Sequence, residues 1–329
     1  MQSRGRNPAY IILSALLAAG VFVYLARYTS PGEIFGIMRS ADRRGLALFV
    51  LLSLLMSVFR TWRYRLILAT SGHRPSSIPL FLVVLVRNFL SDLLPARLGT
   101  LSYIYLATSR LGIPLSGSAS SFALSFLFDI AALVPMIAAA ALMAGSVSLE
   151  WDLGRVVLVA LLLAVCSGLA VALLPALLRI AARIIQSLPF PGERWRSRGR
   201  EIVDGVSREV VSAKEAGIFL RLFVLSVLVR LAKYASLGVL LAALLKGSGF
   251  QDALLSPSKV FLGIVSSEMS ASLPVSGIAG FGAYEGTWSA AFTLLGMPAG
   301  LAAATGISHH LFTQVYGYSL GALALLVLL

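Results

Sequence analysis

Long apolar runs joined by short polar stretches make up most of the chain. Runs at about 9–26, 45–60, 117–144, 155–181, 217–245 and 299–328 predict full membrane spans, since a helix needs roughly 20 apolar residues to cross hydrocarbon. Two further segments, at about 77–112 and 257–296, are as apolar but are interrupted midway. The first reads Asn88-Phe-Leu-Ser-Asp92-Leu-Leu-Pro95-Ala-Arg97-Leu-Gly99. The second reads Glu268-Met-Ser-Ala-Ser-Leu-Pro274-Val-Ser-Gly277-Ile-Ala-Gly280-Phe-Gly282-Ala-Tyr284-Glu285. Each places charge, Pro and Gly where an uninterrupted helix would be expected. A freed backbone N–H or C=O in lipid is costly unless protein or water satisfies it. Each segment therefore predicts a helical hairpin that enters and leaves by one side, or two short kinked spans, sheltered inside the protein beside a cavity.

Composition strengthens this reading. The 329 residues are 58% hydrophobic and 12% charged, and the mean hydropathy is +0.89. These values predict an all-α polytopic integral membrane protein, a single transmembrane domain over 1–329 with about six full spans and two re-entrant or broken hairpins. The net charge of +13 would suggest nucleic acid in a soluble protein. Here Lys and Arg in cytoplasmic loops facing anionic headgroups account for it, and no nucleic-acid partner is expected. Cys166 is the only cysteine, so no disulfide within the chain and no cysteine-based metal site are expected. Arg4 and Arg6 precede the first run, which is read as a retained first helix.

Basic residues orient the spans. Eight Lys/Arg in 179–214, and Arg60, Arg63, Arg65 and Arg74 in 60–74, predict cytoplasmic loops, whereas Glu150 and Asp152 mark an outer loop. Segment 27–44 falls outside despite Arg27, Arg39, Arg43 and Arg44, and is read as an amphipathic helix on the outer leaflet. The two hairpins then enter from opposite sides. Leu94-Pro95 aligns with Leu273-Pro274, Gly99 with Gly282, and Gly112-Ile113-Pro114 with Gly296-Met297-Pro298. Opposed broken segments are the mark of an inverted-repeat transporter, with half-repeats at about 45–145 and 217–329. The competing reading is two unrelated kinks.

An ionisable group inside a span is a functional candidate by default. The candidates are Arg87, Asp92, Arg97, Asp129, Arg230, Lys233, Glu268, Glu285, His309 and His310, with Asn88 and the backbone around Gly99, Gly280, Gly282 and Tyr284 beside them. Arg97 offers a planar fork of donors for a phosphate, supported by helix N–H groups beyond Gly99; alternatively it neutralises Asp92 or Asp129. Glu285 opens the returning helix and suits its positive end; alternatively it balances Arg97, Arg87 or a substrate ammonium, or carries a proton. Asp129 requires a buried Arg. Glu268 can pair with Lys233 or Arg230, which line a cavity or snorkel to the surface. His309 and His310 diverge by about 100° on a helix and cannot share a metal, and no cofactor is expected. Trp62, Tyr64, Trp151 and Trp288 read as interface markers.

No Walker A, HExxH or Gly-x-Ser-x-Gly motif is present in the sequence. Three stretches resemble the flippase-like transmembrane domain of the lysylphosphatidylglycerol synthase family. They are Arg60-Thr-Trp62-Arg63 through Gly72, Asn88 through Pro95-Ala-Arg97-Leu-Gly99, and Leu273-Pro274 through Gly280-Phe-Gly282-Ala-Tyr284-Glu285-Gly286. Where the family often has Glu after the glycine matching Gly99, this chain has Thr100. Where the family often has Glu-Arg before Asp129, this chain has Ser125 and Phe126 in that region. The aminoacyl-transferase domain is not in this sequence, so synthesis is not carried over and no enzyme activity is expected.

The resemblance implies movement of a membrane lipid between leaflets of a bacterial or archaeal cytoplasmic membrane. Candidate cargoes are an anionic phospholipid, an aminoacyl-phospholipid or a polyprenyl-phosphate lipid, with a lipid-synthesis enzyme as a possible partner. The expected mechanism has the two hairpins meet near the midplane and form a polar cavity open sideways to lipid, in which Arg97 binds the headgroup phosphate; rocking of the repeats exposes that cavity to each leaflet in turn. Rival readings are a membrane enzyme acting on a lipid-linked substrate, glycosyltransferase-like, and a non-transporting partner of a lipid synthase.

Overall fold

The computed structural model describes residues 19–94, 99–145, 204–246 except 206, 256–273 and 278–328, with isolated positions 180, 248 and 250. Among these residues the protein is helical and contains no strand. The helices, numbered here in chain order, are α1 (Pro31–Ser40), α2 (Arg43–Thr70), α3 (Ser77–Leu93), α4 (Ser102–Leu111), α5 (Leu115–Gly145), α6 (Phe219–Leu245), α7 (Pro257–Ala271), α8 (Ala283–Leu294) and α9 (Ala299–Leu328). Four of them, α2, α5, α6 and α9, are long and apolar enough to cross a membrane. They correspond to the predicted spans at 45–60, 117–144, 217–245 and 299–328. The spans expected at 9–26 and 155–181 lie wholly or largely outside the described residues, as do Pro95, Arg97 and Pro274.

Local chemistry sets the helix ends. Ser30 and Glu33 form a reciprocal cap at the start of α1, with Pro31 in its first turn. The Asp42 carboxylate accepts from Gly45 N at 3.1 Å to open α2, and Ser256 does the same for α7 through Lys259 N. Helices α4 and α8 end where expected, before Gly112-Ile113-Pro114 and Gly296-Met297-Pro298, and both glycines have positive φ. The chain thus runs twice through one order: long helix, short helix, break, short helix, long helix.

Both breaks bring the chain back onto the helix it has just left, and α3 packs against α4 as α7 packs against α8. At the first break a Cβ on Gly99 would overlap the Leu90 carbonyl of α3. At the second, a Cβ on Gly280 would stand 3.0 Å from Ala271 Cβ of α7. Only glycine permits approaches this close. At the second break, Ile278–Gly280 forms a 3₁₀ turn in which Ala279 has φ 57°.

The packing exchanges partners between the halves. Helix α3 lies on α9, and α7 lies on α5, while α2 and α6 lie on one another. The α2–α6 pair is antiparallel, because Asp42 N donates to Ala243 O at 2.9 Å near one end and Arg63 donates to Ser226 Oγ at 2.8 Å towards the other. Gly45 lets the two backbones close up, since a Cβ there would be 2.7 Å from Ala243 Cβ. Lys246 Nζ stands 3.0 Å from Asp42. Its hydrogen bond, followed by that from Gly45 N, holds the Asp42 carboxyl below the usual range.

Candidate functional site

A cavity of about 640 Å³ lies among α2, α3, α5, α6, α7 and α9. Both breaks form part of its wall, through Leu94, Thr100 and Leu101 on one side and Ser272, Ala279 and Gly280 on the other. This volume falls in the range of small-molecule sites. What distinguishes it is the wall: Arg60, Arg87, Asn88, Asp92, Asp129, Arg230, Lys233 and Glu268 all contribute.

Helix α2 carries a polar stripe, Ser53, Ser57 and Arg60, at spacings of four and three that place them on one face. The sequence places residues 60–74 in a basic cytoplasmic loop. Instead the helix continues to Thr70, and Arg60 and Arg63 are buried. Arg60 Nη1 donates to Asn88 Oδ1, and Arg87 Nη1 donates to the same oxygen at 3.2 Å. Asn88 Nδ2 in turn donates to Ser57 Oγ at 3.3 Å.

Asp129 finds the buried arginine that its isolation demanded, and that arginine is Arg63. The two make a two-point contact at 2.7 and 3.2 Å. Arg230 stands 3.6 Å from the outer carboxylate oxygen. Lys233 Nζ lies 2.6 Å from Glu268, one of the two pairings open to Glu268. Arg230 and Lys233 keep only 15% and 17% of their side chains exposed and line the cavity, so the snorkelling alternative does not hold.

Glu285 is fully buried and forms no ion pair with Arg87 among the described residues. One oxygen accepts from Gly282 N at 2.7 Å, capping α8, and the other lies 2.5 Å from His310 Nδ1. Gln314 Nε2 sits 2.7 Å from His310 Nε2 and donates to the Ala279 carbonyl at 3.3 Å. If Gln314 donates to the ring as well, His310 carries its proton on Nδ1, facing Glu285. The chain Glu285–His310–Gln314–Ala279 thus joins α8, α9 and the second break. His309 turns the other way, to Tyr284 Oη and the Leu237 carbonyl, each at 3.0 Å.

Of the residues singled out from the sequence, Arg87, Asn88, Asp92, Asp129, Arg230, Lys233, Glu268, Gly280, Tyr284 and His310 line the cavity. Gly99, Gly282 and Glu285 lie behind its wall, where they shape the two breaks. Arg97 lies outside the described residues. Arg60, Ser57 and Gln314 belong to the wall as well. The spacing of the α2 stripe was the signal for the first two. Trp288 and Tyr64 are core residues rather than interface markers, at 0% and 1% exposure, whereas Trp62 is 52% exposed.

Among curated proteins none matches the chain. The family model described as the lysylphosphatidylglycerol synthase TM region matches residues 11–321. That match reaches both broken segments and every helix described above, and the chain therefore belongs to the lysylphosphatidylglycerol synthase transmembrane-region family.

Proposed function

We propose that this protein moves a lipid between membrane leaflets without altering it chemically. The cargo is a phospholipid, an aminoacyl-phospholipid or a polyprenyl-phosphate-linked lipid, and the membrane is the bacterial or archaeal cytoplasmic membrane. The observation that carries the proposal is the charged cavity walled by both breaks. Buried ionisable groups in a membrane-spanning protein are expensive unless they serve a guest or each other. A headgroup in this cavity exchanges water for fixed charges and amides while its tails stay in hydrocarbon.

In this reading the two broken segments are re-entrant hairpins, and 45–145 and 217–329 are inverted repeats. The exchange of packing partners between the halves supports both statements. The family relates to lipid metabolism, which supports lipid as the cargo and makes a lipid-synthesis enzyme a reasonable partner.

Reconstitution tests the proposal. Vesicles containing the purified chain and a fluorescent phospholipid should lose the label's protection from an external quencher faster than empty vesicles. The acceleration should weaken in Lys233→Gln and Glu268→Gln. Equal rates in protein-containing and empty vesicles across all three lipid classes would overturn it. Chemical turnover of a lipid-linked sugar by the same protein would favour the enzyme reading.

A further inference from the structure

Two guanidinium groups meet at one neutral oxygen. Arg60 and Arg87 both donate to Asn88 Oδ1, and neither forms an ion pair with a carboxylate among the described residues. Of the carboxylates on the same wall, Asp129 is held by Arg63 and Arg230 and Glu268 by Lys233, and Asp92 forms no ion pair with either arginine. Arg60 is only 8% exposed, and the Nε atoms of both arginines are buried with no partner. Adjacent like charges inside a protein repel and lose hydration, and one amide oxygen cannot offset either effect. Both side chains line the cavity.

We infer that Arg60, Arg87 and Asn88 form the seat for a phosphate group, which supplies the missing negative charge between the two guanidinium forks. Phosphate suits the site because its oxygens accept in-plane pairs from arginine, and two arginines match its spread charge better than a single ammonium would. Asn88 holds the two forks side by side through its one oxygen, and is itself held by Ser57. The phosphate belongs to a lipid headgroup or to free inorganic phosphate. The lipid source rests on the function proposed above; the anion seat does not.

The test uses the full chain purified in detergent. The probes are dioctanoyl phosphatidylglycerol, inorganic phosphate and dioctanoylglycerol, with binding measured by equilibrium dialysis and thermal shift. The wild type should bind the phosphatidylglycerol and not the dioctanoylglycerol. Competition by millimolar inorganic phosphate identifies the free anion as a second ligand; no competition assigns the seat to the headgroup. Asn88→Asp is the decisive variant, because it places a permanent carboxylate between the guanidiniums. It should melt at or above the wild-type temperature and bind the phosphatidylglycerol about tenfold more weakly or worse. Arg87→Gln should also lose binding, and covers the case in which Asn88→Asp does not fold. Wild-type affinity in either folded variant, or equal binding of dioctanoylglycerol, would overturn the seat. Binding that depends on Asn88 in a protein that moves no lipid supports the seat and removes the transport reading. Translocation without phosphate-dependent binding does the reverse.

Discussion

Arg63 and Asp129 hold each other through two contacts, at 2.7 and 3.2 Å, with 1% and 6% of their surfaces exposed. Arg63 also donates to Ser226, so this pair ties α2, α5 and α6 into one unit. Ion pairs buried this deeply are revealed by what happens when one partner is lost, because the other remains charged and unhydrated. Asp129→Asn should destabilise the protein by about 3–5 kcal/mol. The double variant Arg63→Met/Asp129→Leu should lose less than the sum of the single losses. Thermal unfolding of the purified variants checks both statements.

Lys233 and Glu268 connect α6 to α7 on the cavity wall at 2.6 Å. Either charge reversal, Lys233→Glu or Glu268→Lys, should cost about 1–3 kcal/mol, and the swapped double variant should recover most of it. If the pair also serves cargo movement, translocation in vesicles should fall in both single variants and return in the swap. A swap that is stable yet inactive would mean that the position of each charge matters, beyond the bond between them.

The two breaks rank the glycines. Gly99→Ala sets a methyl group against the Leu90 carbonyl, which cannot yield, and should cost about 3 kcal/mol or more. Gly280→Ala meets a side-chain methyl at 3.0 Å from a backbone with φ 80° and should cost about 1–3 kcal/mol. Gly72→Ala shares the φ of 80° but meets nothing within 4 Å, so only backbone strain remains, about 1 kcal/mol. The order of melting temperatures, Gly72→Ala above Gly280→Ala above Gly99→Ala, checks the geometry of both turns.

Glu285 and His310 are predicted to be unequal partners. Glu285→Gln keeps one oxygen for Gly282 N and offers an amide N–H to His310. The ring and Gln314 can accommodate that by exchanging donor and acceptor roles at the expense of the Gln314–Ala279 hydrogen bond, so the loss should be about 1–2 kcal/mol. His310→Ala leaves a fully buried carboxylate with only a backbone amide and should cost about 3 kcal/mol. Comparable losses in the two variants would mean that the proton does not sit where the hydrogen bonds put it.

Element positions were legible from the sequence because the membrane imposes a strong pattern. The apolar runs at 117–144, 217–245 and 299–328 reappear as α5, α6 and α9 almost residue for residue. The breaks fall at the Pro/Gly clusters, and Gly112 and Gly296 end helices where the following X-Pro forbids continuation. The end of α2 was hidden. Arg60 and Arg63 read as the end of a span, yet they are interior charges whose partners, Asn88 and Asp129, come from α3 and α5. No local pattern announces a partner 66 residues away. Glu285 suffered the same fate: its place at the first turn of α8 was readable, but its second bond goes to a histidine on α9.

The paired helices α2 and α6 are fastened at both ends. Near one end are the Asp42–Ala243 and Asp42–Lys246 contacts. Towards and beyond the other are Arg63–Ser226, Ser212–Thr70 and Ser71–Glu209. Each helix belongs to a different half of the chain, so tilting the two halves as whole blocks would have to break contacts at both ends of this common mast. Travel that spares those contacts is left to the short, glycine-turned arms that lean on the mast.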